Sequence, residues 1–372
     1  MADKSAIRAE AQRLMAGFAA QGAAEVDPPI LQPAHTLLDL YGEDIRSRAF
    51  ITHDPVLGEA MLRPDFTVPV VQMHMASAPE TGADPARYTY SGEVFRAQDE
   101  TAHRAPEYIQ VGYELFGGAD TAAADAEVFA LIETALETAL GAEGARGLRA
   151  ITGSIDLIIA AVEGLSTTKA RKAALMRHIW RPRRFRHLLR RFAGLVPPPE
   201  GRAALIAAED PFADGAVQIG LRSRAEVEAR IAALREDAAA PPVPETEMRL
   251  ISDLLSLRET VDNTRERLHD FAVDMPALAP AVARFDARAE ALRAHGIDTA
   301  KLGFEGAYGL TTMEYYDGFV FGFTAEGRPD LPPVATGGRY DALTRRLGGC
   351  EIPAVGAVVR PEMLLDIREG QT

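Results

Sequence analysis

Between residues 5 and 21 the apolar positions Ile7, Leu14, Met15 and Phe18 fall on one side of a 3.6-residue period. That spacing predicts an amphipathic helix, stopped by Gly22. The prolines of EVDPPILQP (25–33) exclude a helix interior and keep this stretch extended. Three short strand-like runs follow: AFIT near 49, EAMLR near 59 and RYTYSGEVFR from 87. From Tyr108 the run IQVGYELFG alternates and ends on a glycine pair, the pattern of a buried strand. DAEVFALIETALETALG (125–141) returns to helical spacing, with acids at its start and Val128, Leu131, Ile132, Leu136 and Leu140 on one side.

From residue 166 to 270 the pattern is helical, rich in Ala, Arg and Glu, and broken at VPPPEG and AAAPPVP. Within it, Ser223 and Glu226 have the spacing of a capping box at the head of a helix over 223–237. After residue 275 one more helix, PAVARFDARAEALRAHG, leads to strands expected at 301–310, 316–324 and 333–339. AVGAVVRPEMLLDI then reads as a strand running into a helix. Strands joined by hairpin-like turns, with helices outside them, predict an α+β fold with an antiparallel sheet flanked by helices. The core is expected in two parts, 1–165 and 271–372, around a helical insertion at 166–270. There is no internal repeat and no Walker or dinucleotide fingerprint; GGRYD (337–341) runs from two glycines into a charged turn.

The 372 residues suffice for one large domain or two ordinary ones with a sizeable core. No apolar run is long enough to span a bilayer, and the N-terminus lacks the uninterrupted apolar stretch of a secretory signal. The lone Cys350 excludes an intramolecular disulfide and a Cys-based zinc cluster. These features point to the cytoplasm. A net charge of -14 argues against a molecule built around nucleic acid. The charge is uneven, however. KARKAALMRHIWRPRRFRHLLRR (169–191) holds ten Lys and Arg and no acid; removing those ten from -14 leaves -24 for the rest. The run reads as a solvated, Arg-rich helical pair or as a docking face for an acidic protein. RNA binding is the weakest reading, because only Trp180 and Phe185 are interleaved.

Four polar clusters carry candidate chemistry. MLRPDFT (61–67) sets Arg63, Asp65 and Thr67 two apart along what reads as an extended segment, where a carboxylate and a hydroxyl together can grip an ammonium group. Alone, this cluster reads as a strand edge. In GEVFRAQDETAHRAPEYIQVGYELFG (92–117) a strand ends at Arg96 and a return strand carries Gln110 and Glu114. Alternation puts these two on the same face, among Ile, Val and Leu, where polar groups are costly unless paired or ligand-facing. GLTTMEYYDGFVFGF (309–323) places Glu314, Tyr315 and Tyr316 before a turn-forming Asp317-Gly318; on a strand only one of the two tyrosines would point inward. TGGRYDALTRRLGG (336–349) sets Arg339 just after a glycine pair. His103 and Cys350 have no metal-ligand spacing around them and read as structural.

LRPDFT, FR-loop-QVGYELFG, YYDGFVF and GGRYDALTRRLGG occur in the order and approximate spacing of the histidyl-tRNA synthetase catalytic core, which this chain resembles over 1–165 and 275–372. EVDPPILQP is similar to the class II motif 1 strand, with Pro29 in the place of its signature proline. The departures are specific. The arginine of the synthetase RGLDYY motif, which activates the substrate carboxylate, is matched by Thr311. Motif 2 has Pro106-Glu107-Tyr108 in place of R-x-F, and the ATP-holding arginine of motif 3 is matched by Met363 after Glu362. Neither a threonine nor a thioether supplies the charge stabilisation that a triphosphate requires. No anticodon-binding domain is expected after motif 3.

In these departures, and in LRPDFT and YYDGFVF, the chain resembles the ATP phosphoribosyltransferase regulatory subunits, the synthetase paralogues found beside a short catalytic subunit in histidine biosynthesis. The resemblance implies no catalysis, cofactor or metal of its own. It implies assembly with the short-form catalytic subunit, a homodimer through the motif 1 region, and feedback by histidine, with no tRNA or membrane partner. Carried over residue by residue, it names Asp65, Thr67, Gln110, Glu114, Tyr315 and Tyr316 as the histidine-contacting set. Arg96 and Arg339 are further candidates, each a ligand contact or a structural group. Two rival functions stand beside it: a truncated class II enzyme adenylating histidine or charging a non-tRNA acceptor, and an RNA-binding or signalling module using the 169–191 run.

Overall fold

The computed structural model describes residues 3–41, 43–77, 85–97, 105–213, 220–310 and 315–370. Helix α1 (Lys4–Ala20) forms where the periodicity places it and buries Ile7, Leu14 and Phe18. Two short strands follow, β1 (Ala24–Glu25) and β2 (Leu31–Pro33), then α2 (Ala34–Tyr41), a hairpin of β3 (Ile51–Asp54) and β4 (Gly58–Leu62), and α3 (Thr67–Ser77). The long hairpin β5 (Ala86–Phe95) and β6 (Glu107–Phe116) leads to α4 (Thr121–Ala145), β7 (Leu148–Ser154) and α5 (Ile155–Gly164). Helix α4 outruns its expected bounds at both ends and kinks at Gly141, whose φ of 73° is left-handed.

The helical stretch comprises α6 (Lys169–Met176), α7 (Pro182–Phe192), α8 (Glu200–Ala207), α9 (Arg224–Ala239) and α10 (Glu245–Ser256). The capping box is present: Glu226 N–H donates to the Ser223 hydroxyl at 3.3 Å, and Ser223 N–H donates to the Glu226 carboxylate at 2.7 Å. One element departs from the all-helical expectation, a three-residue strand β8 (Arg258–Thr260) that pairs into the main sheet. Three residues are too few to show a period of two. Then come α11 (Val261–Asp274), α12 (Ala279–Ala294), β9 (Gly303–Glu305), β10 (Phe319–Ala325), β11 (Ala335–Arg339), α13 (Asp341–Gly348), β12 (Ala354–Val359) and α14 (Pro361–Glu369).

Among the described residues nine strands form one sheet in the order β1-β5-β6-β12-β11-β10-β7-β9-β8. Its pairs are antiparallel except β1–β5 and β7–β9. A small second sheet has the order β2-β4-β3. One face of the main sheet is apolar and helix-covered. Phe129 of α4 packs on Phe319, Phe321 and Phe323 of β10, with ring centroids 5.1–6.3 Å apart, and Phe18 of α1 packs on Tyr113. The register puts Gln110, Gly112, Glu114, Gly356 and Gly338 on the other face. Among the described residues no helix is long and apolar enough to cross a membrane.

Candidate ligand pocket

Glu114 is the centre of the polar face. It is 1% exposed and accepts three hydroxyl bonds: from Thr67 at 3.1 Å and Tyr90 at 2.8 Å on Oε1, and from Tyr340 at 2.5 Å on Oε2. Burial pushes its carboxyl up to about 7, against the pull of those three donors, and Asp65 nearby pushes it the same way. The donors arrive from three directions: α3 delivers Thr67, β5 delivers Tyr90, and the residue before α13 delivers Tyr340.

Space for these groups comes from glycines in the strands beneath. A Cβ on Gly356, paired with Glu114 across the ladder, would lie 1.5 Å from Glu114 Oε2. A Cβ on Gly112 would lie 2.0 Å from the Tyr90 ring, and one on Gly338 would lie 2.8 Å from the Tyr316 ring. Each glycine is the only residue that lets a polar side chain lie flat on the sheet.

Around this floor the structure gathers seven of the eight candidates. Asp65 is 3% exposed, and its Oδ1 faces the Val68 N–H at 3.5 Å, at the head of α3. The segment 61–67 is therefore extended only at its start; Thr67 opens a helix, and the turn swings its hydroxyl toward Glu114. Gln110 is 1% exposed, and its side-chain Oε1 has no partner among the described residues. Tyr315 and Tyr316 are both buried, with rings 4.9 Å apart and near perpendicular. They precede β10 instead of lying on it, so strand alternation does not separate them, and both join the cluster. Burial, and then Glu114 and Asp65, hold the Tyr316 phenol well above its usual value. Arg96 donates from Nε to the Pro64 carbonyl at 2.8 Å, bracing the turn that carries Asp65.

Arg339 lies apart from the others. It sits on the helix-covered face, where it bonds Asp125 of α4 at 2.7 Å, Asp341 at 2.9 Å and the Thr121 carbonyl at 2.9 Å. The reason is parity: Gly338 faces the pocket, so its neighbour in β11 faces the helices. Arg339 is structural here. Glu314, Thr311 and His103 lie outside the described residues.

The sequence reading missed Tyr90 and Tyr340, the two strongest donors to Glu114. Alternation from Gly92 in β5 carried the signal for Tyr90, and the lone glycines inside VGYEL and AVGAVV carried the signal for a close approach. It also missed Asp317, whose carboxylate accepts the N–H groups of Asp341 at 3.1 Å and Ala342 at 2.6 Å, capping α13 from a distant segment. Burial pushes that carboxyl up to about 7. Among the described residues no group of three or more His, Cys, Asp or Glu is placed to hold a metal ion.

This geometry is a glycine-floored cluster with two acids, an open amide and phenols set edge to face, suited to a small cationic ligand. Comparison with known proteins gives the class first: residues 2–195 and 222–364 match the histidyl-tRNA synthetase family. The fold agrees. A Bacillus halodurans structure described as an ATP phosphoribosyltransferase regulatory subunit/histidyl-tRNA synthetase superposes with a TM-score of 0.66, at 20% identity, covering 99% of this chain and 81% of that one. Histidyl-tRNA synthetase from Nostoc sp. superposes at 0.61, with 16% identity, covering 97% of this chain and 70% of that one. The chain has the class II synthetase fold. Within that class, the regulatory subunit of ATP phosphoribosyltransferase from Brucella anthropi is 32% identical over 347 residues, and that from Brucella canis 31% over 353, each alignment covering 89% of both chains. The chain belongs to the family of ATP phosphoribosyltransferase regulatory subunits.

Proposed function

We propose that the chain is the non-catalytic regulatory subunit of an ATP phosphoribosyltransferase, a glycosyltransferase complex, working in the cytoplasm with a short catalytic subunit and reporting histidine to it. The observation that carries the ligand half of this reading is Gln110. A buried amide oxygen with no partner among the described residues is costly, and this one lies on the same face as Glu114, four residues along β6 with Gly112 between them. An N–H-bearing cation placed between them satisfies both. In this reading Asp65 and Glu114 receive the ammonium or imidazole N–H of free histidine, Thr67 and Tyr90 hold Glu114 in place, and Tyr315 and Tyr316 wall the ring. The regulatory half is supported by Met363, which is packed into the core where an ATP-binding synthetase carries a cation.

The test is a titration of this chain into the short catalytic subunit. Formation of phosphoribosyl-ATP should rise with added chain and fall with added histidine. The chain alone should neither form that product nor exchange pyrophosphate with histidine and ATP. Catalysis indifferent to the chain across the titration overturns the reading, and pyrophosphate exchange by the chain alone restores the synthetase alternative.

A further inference from the structure

Helix α7 has a fixed orientation and an unanswered charge. Phe185, Leu188, Leu189 and Phe192 are buried along one side, so its opposite side must face outward. Beneath it, Arg171 donates to the Asp237 carboxylate at 2.7 Å and to the Pro241 carbonyl at 2.7 Å, stitching α6 to the end of α9. The outward side carries Arg183, Arg184, Arg186 and Arg190, and Arg177 precedes them after α6; all five are exposed. None of the five has an ion pair among the described residues. Elsewhere the chain commonly pairs its surface arginines within itself, as in Arg224–Glu228, Arg249–Glu245, Arg265–Asp286 and Arg345–Glu351, all at 2.7–2.9 Å. The crowding is felt locally: burial, and then Arg181, Arg184 and Arg177, hold the His178 imidazole below its usual value. Salt screens such self-repulsion only in part, and an anionic surface brought from outside relieves it further.

We infer that the exposed arginine face of α7 is the docking surface for a carboxylate-bearing face of the catalytic partner. The choice of occupant follows from the rest of the molecule. Nucleic acid would approach a chain carrying -24 outside this run, with no free ring to stack on, since Phe185 is buried and Trp180 half-buried. A second copy has an apolar face to use instead, at Ile30, Phe50, Ile51, Val56 and Leu57. The guanidinium stripe from Arg183 to Arg190, roughly 10 Å along the helix, matches acids at helical spacing on a partner protein. The inference rests on the regulatory-subunit reading.

The test compares the wild-type chain with the charge-reversed variant R183E/R186E/R190E and the neutral variant R183Q/R186Q/R190Q, each checked for folding by circular dichroism. Binding to the short catalytic subunit is followed by interferometry at about 50 mM and about 500 mM salt, on either side of effective screening. The expected result is association that slows with salt for the wild type. Both variants should lose roughly tenfold to hundredfold in association rate at low salt, the reversed one more, and the salt dependence should flatten. Histidine binding by the isolated variants should be unchanged. Wild-type association by both variants overturns the inference alone. Failure of the wild type to assemble at either salt overturns it together with the regulatory reading. Unchanged assembly with lost RNA binding, or with lost self-association, overturns it in favour of those occupants.

Discussion

Glu114 is held in a state that depends on what occupies the pocket. Among the chain's own groups its carboxyl titrates at about 7 because burial outweighs three hydroxyl bonds. The folded chain therefore keeps a proton between pH 4.5 and 7 that the unfolded chain gives up. The stability this group contributes is fully present below 4.5 and is lost as pH rises through 7. A bound cation reverses the preference, since it favours the ionised form. Histidine affinity should therefore fall by about fivefold between pH 7 and pH 6 from this group alone. Calorimetry in two buffers of different ionisation enthalpy should detect proton release on binding. Glu114→Gln should remove that release and weaken binding by roughly thirtyfold to hundredfold, as should Asp65→Asn for affinity. Histidine feedback unchanged in both variants would make the pocket a relic. The floor gives an independent check: Gly356→Ala puts a methyl where Glu114 Oε2 lies, so binding should be lost at a stability cost of roughly 1–3 kcal/mol.

At the scale of elements, the sheet separates two kinds of polar residue. On its helix-covered face Asp125 receives Arg339 at 2.7 Å and Arg288 at 3.5 Å, all three buried, tying α4 to β11 and α12. Asp125→Ala removes the carboxylate shared by two buried cations, leaving Arg339 with Asp341 and Arg288 with the Ser154 hydroxyl, and should destabilise the chain by about 3 kcal/mol in denaturant unfolding. Histidine affinity of the folded fraction should stay unchanged, because the pocket is on the opposite face. This is also where sequence legibility ends. The parity of β6 was visible in IQVGYELFG, so Gln110 and Glu114 were placed on one face from the pattern alone. The parity of β11 was not, because two adjacent glycines give no apolar alternation to count, and Arg339 was left open between a ligand contact and a structural group. Turns hid the rest. Thr67 and Tyr315 reach the pocket through a helix start and a loop, where a period of two does not apply. Tyr340 and Asp317 act across the fold, and no local window contains their partners.

At the scale of the molecule, an apolar group around the small sheet is left uncovered among the described residues. In the motif 1 region Leu37 and Leu40 are buried within the chain and Val26 and Leu38 half-buried, while Ile30 is exposed. The small sheet accounts for this: α2 turns its leucines inward, and the residues left outside are Ile30, Phe50, Ile51, Val56 and Leu57, the valine 91% exposed. Exposed apolar side chains on and beside one small sheet, in a chain of net charge -14, are the expected contact for a second copy. The same region is tied to the pocket. Arg63 donates to the Pro28 carbonyl at 2.6 Å and to the Glu93 carbonyl at 2.9 Å, and its guanidinium lies 3.8 Å over the Phe66 ring. Phe66 in turn stacks on Tyr90, a donor to Glu114. Light scattering at micromolar concentration should give a dimer for the wild type and a monomer for I51D/V56D. The monomer should bind histidine more weakly, because Arg63 then holds the pocket wall to a segment no longer braced by a partner. A wild-type monomer overturns the interface; a monomeric variant with undiminished affinity keeps the interface and removes its link to the pocket.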